Sequence, residues 1–95
     1  MATSHARVPT ANAADYLLRL SGGLFARTPT LLRDDRRTVV TLPNARCEIV
    51  AGAGFLDITL TAASKEWAAA LEDLVSDGLD DAARGEELKY QWVLQ

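Results

Sequence analysis

From Thr38 to Thr61 apolar and polar side chains alternate in three short runs separated by two turns. Thr38–Leu42 stops at Pro43-Asn44, Ala45–Ala51 stops at Gly52-Ala53-Gly54, and Phe55–Thr61 follows. In the second run Ala45, Cys47, Ile49 and Ala51 share one side, with Arg46 and Glu48 on the other. In the third, Leu56, Ile58 and Leu60 oppose Asp57, Thr59 and Thr61. A period of two is the mark of strands with one face buried and one face wet, so these runs predict an antiparallel meander.

The flanking sequence supplies material to cover the apolar face. Ser4–Thr10 reads as a short strand with Ala6 and Val8 on one side, stopped by Pro9. A helix follows, capped by Asn12, with Asp15 in its first turn and Ala13, Tyr16, Leu17, Leu20 and Leu24 at helical spacing. Gly22-Gly23 ends or loosens it. Thr30–Arg33 reads as a strand, and Asp34-Asp35-Arg36-Arg37 as a polar turn into the meander. Beyond the meander, Ser64 caps a second helix whose stripe is Trp67, Leu71, Leu74, Val75 and Leu79. Gly78 interrupts that stripe at a cost of about 1 kcal/mol, and Gly85 is the stop. The last run, Leu88–Leu94, alternates as a strand with Leu88, Tyr90, Trp92 and Leu94 together. The order is β-α-β-β-β-β-α-β. It predicts a two-layer α+β sandwich, a mostly antiparallel sheet with two helices on one face.

Composition narrows the class further. Ninety-five residues make a single domain, 1–95, and 48% apolar with 24% charged residues fits a globular chain. The single cysteine excludes an internal disulfide and suits a reducing cytoplasm. No run in Met1–Thr10 resembles a signal peptide or membrane span, so a small cytosolic protein is expected. A net charge of −3 argues against nucleic acid as a partner. The charge is uneven: residues 1–47 carry seven arginines against three acids, and residues 48–95 carry three bases against ten acids. The halves attract each other within one fold, simply form solvated faces, or make a dipolar surface able to pair head to tail with a second copy.

Candidate chemistry is sparse. His5 is the only histidine and reads as an exposed side chain near a terminus; one histidine cannot make a zinc site. Cys47 is in phase with the apolar face and reads as a small hydrophobe. Gly52-Ala53-Gly54 joins two strands, with no Lys-Ser/Thr after it, and reads as a hairpin turn rather than a phosphate loop. Asp80-Asp81 and Glu86-Glu87 read as solvated acids near a helix end. Trp67, Tyr90 and Trp92 read as core anchors, with Tyr90 and Trp92 also placed to form an interface. Arg27, Arg33, Arg36 and Arg37 flank one turn and form a candidate site for a phosphate or carboxylate ligand. No residue set specifies a catalytic group, a metal or a cofactor.

Several stretches together resemble a bacterial family, domain-of-unknown-function family 2218. They are Ala6-Arg7-Val8-Pro9-Thr10 before a Tyr16-Leu17 helix, the meander, Leu71-Glu72-Asp73-Leu74-Val75, and the closing Glu86-Glu87-Leu88 with Trp92. The resemblance spans nearly the whole chain and implies, by genomic association, a link to siderophore and iron handling. In the family pattern the first helix ends with a cysteine and two histidines, and the second carries another histidine. This chain has Ser21, Gly23, Ala26 and Gly78 there, so the resemblance implies either a divergent member with a different partner or histidines that are not essential to the family. The expectation is a non-enzymatic accessory domain that binds a protein partner or small ligand. The alternatives are a small enzyme completed at a homodimer interface, using Cys47 or the arginines, and a structural self-association module.

Overall fold

The computed structural model describes residues 1–22, 30–33, 36–83 and 85–94, with backbone only at 21, 30–33 and 94. The elements are β1 (Ala2–Pro9), α1 (Ala13–Gly22), β2 (Thr30–Arg33), β3 (Arg37–Leu42), β4 (Ala45–Gly52), β5 (Phe55–Ala62), α2 (Lys65–Ala82) and β6 (Val93–Leu94). Their order is the one the alternation and helical stripes predict.

The sheet order, which the sequence leaves open, is β2-β3-β4-β5-β1-β6, antiparallel between all neighbours. Both meander turns are two residues long. Asn44 adopts φ 59° in the first and Gly54 φ 84° in the second, left-handed conformations that these residue types tolerate. β1 enters between β5 and β6, so β1 and β2 run parallel four places apart, and β5 and β6 run parallel two places apart. Each helix is therefore a crossover between parallel strands. Opposite strand directions and opposite directions of travel mean that two right-handed crossovers send both helices to the same face.

That face carries the core. Val8 of β1, Val40 of β3, Cys47, Ile49 and Ala51 of β4, and Leu56, Ile58 and Leu60 of β5 are buried. Ala13, Tyr16, Leu17 and Leu20 of α1, and Ala68, Leu71, Val75 and Leu79 of α2, join them in one cluster. Ser64 caps α2, its hydroxyl accepting the Trp67 N–H at 3.2 Å. α2 runs unbroken through Gly78. It ends where the Glu86 N–H bonds the Ala83 carbonyl at 2.8 Å, with Gly85 at φ 89° in that turn.

Four expectations need correction. Trp67 and Leu74 are not core anchors but lie 45% and 43% exposed, because the buried stripe of α2 is centred on Ala68, Leu71, Val75 and Leu79. The last strand is only Val93–Leu94, paired with His5 and Ser4. Residues 88–92 keep their alternation but follow α2 instead: the Tyr90 hydroxyl donates to Asp80 at 2.8 Å and Trp92 Nε1 donates to Ser76 at 3.2 Å. Asn12 precedes α1 as expected, but its side-chain amide turns to the Tyr16 hydroxyl, 3.3 Å away. The alternation of β3 fails at Val39, which is buried beside its register partner Glu48 although it points away from the helices. Leu24 lies outside the described residues.

Candidate functional site

No helix packs on the second face of the sheet among the described residues, and that face holds the polar half of the alternation. Register sets its rows: His5 beside Thr59 and Glu48, Arg7 beside Asp57 and Val50, and Thr61 beside Arg46 and Thr41.

Asp57 is the hub of one cluster. Its Oδ1 lies 2.7 Å from His5 Nε2, and its Oδ2 accepts from Arg7 at 3.3 Å. Partial burial pushes the Asp57 carboxyl up, but hydrogen bonds from Arg7 and His5 outweigh it and hold the pKa below its usual value. His5, expected as an exposed side chain near a terminus, is thus half-buried and part of a paired strand. The Arg7 guanidinium also lies 4.3 Å from the centre of the Phe55 ring, and that ring covers Gly52, where a Cβ would collide with it.

A second cluster lies toward β3. Arg37 grips Glu48 through both Nε, at 2.6 Å, and a terminal nitrogen. Arg46 is exposed and has no acidic partner among the described residues, whereas Arg7 and Arg37 on the same face each have one. Arg46, Glu48, Thr59 and Thr61 line a shallow cleft of about 240 Å³. A guanidinium without an acid among the described residues, two threonine hydroxyls and a carboxylate already held by Arg37 make a surface suited to a small anion.

The proposed arginine site is only partly visible. Arg27 lies outside the described residues, and Arg33 is placed by backbone alone at the end of β2. Arg36 is exposed, and its carbonyl accepts the Ala51 N–H at 2.7 Å; Arg37 follows it on β3, engaged by Glu48. Tyr90 and Trp92 are half-buried and hold the carboxyl-terminal segment on α2. Burial, and secondarily the Glu48 charge, pushes the Cys47 thiol up to about 12, so at neutral pH it is not a nucleophile.

One polar network escaped the sequence reading. Glu86 reaches back to the β1–α1 corner, where it accepts from the Tyr16 and Thr10 hydroxyls, the latter at 3.0 Å. The Tyr16 hydrogen bond, aided by Thr10 and Asn12, holds the Glu86 carboxyl below its usual pKa; the same bond raises that of Tyr16. Beside it Arg19 donates to the Ala82 carbonyl at 2.7 Å and pairs with Asp15 at 3.2 Å. This network ties the exit of α2 to the start of α1. The cleft residues were within reach of the sequence: a two-residue turn that pairs Gly52 with Phe55 necessarily pairs Glu48 with Thr59 and Arg46 with Thr61. The Asp57 and Glu86 contacts, across 52 and 76 positions, needed the strand order.

A small two-layer α+β sandwich that turns one mixed-charge sheet face outward is the class of protein this geometry defines. Residues 5–93 match the family described as an uncharacterized protein conserved in bacteria, DUF2218, and the chain belongs to that family. The NMR structure of PA4090 from Pseudomonas aeruginosa superposes with a TM-score of 0.80 at 25% identity, covering 98% of this chain and 96% of that one. No curated protein matches the chain. No described helix is long and apolar enough to cross a membrane.

Proposed function

We propose that this protein is a non-enzymatic binding domain that takes a small anionic ligand, carboxylate-bearing by preference, on the open face of its sheet. The observation that carries the reading is Arg46, the arginine of that face left without an acid among the described residues, beside the Thr59 and Thr61 hydroxyls. A guanidinium meets a carboxylate through two parallel hydrogen bonds, and neighbouring hydroxyls can satisfy its remaining lone pairs. Of the arginines 27, 33, 36 and 37, Arg37 lies on this face and Arg36 precedes it on the chain, so these two extend the same reading. The link to siderophore and iron handling implied by the family resemblance fits here, because a carboxylate siderophore is a ligand of this chemistry. A cytosolic setting and a protein partner that delivers or accepts the ligand belong to the same proposal.

The test is an NMR titration of ¹⁵N-labelled protein with citrate, ferric citrate and inorganic phosphate. Shifts confined to Arg46, Glu48, Thr59 and Thr61, lost in Arg46→Ala, are expected. Shifts that survive Arg46→Ala, or no shifts with any of the three anions, overturn the reading.

A further inference from the structure

A second surface lies on the helical layer, away from the Arg46 cleft, and is independent of the anion reading. α2 is 18 residues long, and its two flanks are treated differently. One flank is held by the carboxyl-terminal segment, through Tyr90 to Asp80 and Trp92 to Ser76. Trp67 lies half a turn from Ser76 around the helix, and Leu74 follows it at i+7, so both sit on the other flank. They are 45% and 43% exposed, and Ala70 between them is exposed too.

Next to this apolar ridge runs an acidic one. At 100° per residue Glu66, Asp73, Asp77 and Asp81 fall on one contiguous arc beside Trp67 and Leu74, and all four are exposed. None of the four has an ion-pair partner among the described residues. The arrangement works against the helix itself. Asp73–Asp77 and Asp77–Asp81 are like-charge pairs at i, i+4, and α2 has no basic residue in its last turn. Carboxylates at that end oppose the helix dipole. A cationic partner would relieve both costs, and its apolar residues would cover Trp67 and Leu74.

We infer that this flank of α2 docks a basic amphipathic helix, its apolar side on Trp67 and Leu74 and its lysines or arginines on Glu66, Asp73, Asp77 and Asp81. This is helix-on-helix recognition read by paired ridges, with the charges setting orientation and rate.

The probes are three synthetic peptides of equal length: one with leucine at i, i+3, i+4 and i+7 and lysine elsewhere, its glutamate counterpart, and oligolysine. The readout is the ¹⁵N–¹H spectrum of the full chain, following the Trp67 indole and the amides of Ala70, Leu74 and Asp77. The leucine–lysine peptide is expected to shift these signals, and rising salt to weaken it. Trp67→Ala with Leu74→Ala, and separately Asp73→Asn with Asp77→Asn and Asp81→Asn, should each weaken binding roughly tenfold. All these positions are exposed, and a thermal melt checks that each variant is folded. The inference is overturned by equal binding of the glutamate peptide, or by oligolysine binding as well as the amphipathic probe. It is overturned equally by shifts that fall on the sheet face, or by Trp67 signals that move with protein concentration alone, since a second copy would then be the occupant.

Discussion

The two faces of the sheet come from alternate residues of the same strands, yet they obey different constraints. On the helical face Ile49, Leu56, Ile58 and Leu60 are fully buried, and each contributes about 1.5–3 kcal/mol of burial. On the other, Arg7, Asp57, Arg37 and Glu48 make ion pairs that remain solvent-accessible and contribute little to stability. One face specifies the fold. The other is released from that task, and can hold an arginine such as Arg46 without a partner among the described residues.

This contrast can be broken or sharpened by substitution, beginning with neighbours on one strand. Ile58→Ala should lower the stability measured by urea denaturation by about 2–5 kcal/mol, since it opens a cavity between sheet and helices. A comparable loss from Thr59→Ala, where about 0.5 kcal/mol or less is expected, would remove the distinction. Ser4 tests the buried face from the opposite direction, because its hydroxyl is fully buried with no hydrogen-bond partner among the described residues. Ser4→Ala should therefore be neutral or stabilising by up to about 1 kcal/mol; a clear loss would mean that the hydroxyl is satisfied in solution.

Thiol chemistry gives the same contrast in kinetic form. Cys47 should label only as fast as the protein opens, while a cysteine introduced by Thr59→Cys in a Cys47→Ala background should label at once. The smallest effect concerns pH. Asp57 and Glu86 both have folded pKa values below their unfolded ones, so the stability they contribute is present above the unfolded carboxylate pKa. It is lost as pH falls through the folded values, so acid should lower the melting temperature. Asp57→Asn and Glu86→Gln should each flatten that acid limb. An unchanged limb in Glu86→Gln would show that the staple to Tyr16 carries no charge-dependent stability.

Much of the fold was legible because period two and period 3.6 report burial directly. Cys47, Ile49, Leu56, Ile58 and Leu60 were placed correctly, as was the Ser64 cap. Trp67 was misplaced because its size suggested burial, whereas the angular centre of the α2 stripe lies on the smaller Ala68 and on Val75. Residues 88–92 misled for a different reason. Alternation shows that one side is covered but not what covers it, and here an α-helix takes the place of a neighbouring strand. Of the candidate site, Arg46, Thr59 and Thr61 follow from turn length, while Asp57 with His5 and Glu86 with Tyr16 depend on long-range topology.

The pairing of β1 with β6 has one more consequence. Because Ser4 of β1 faces Leu94 of the edge strand β6 across a single ladder, the first and last strands of the domain lie a strand's width apart. A short linker could join them, and the chain could be reopened at Pro43-Asn44 with every strand kept in its place. For the same reason the domain can be spliced into a surface loop of another protein, entering and leaving through one narrow gate while both its outward faces stay free.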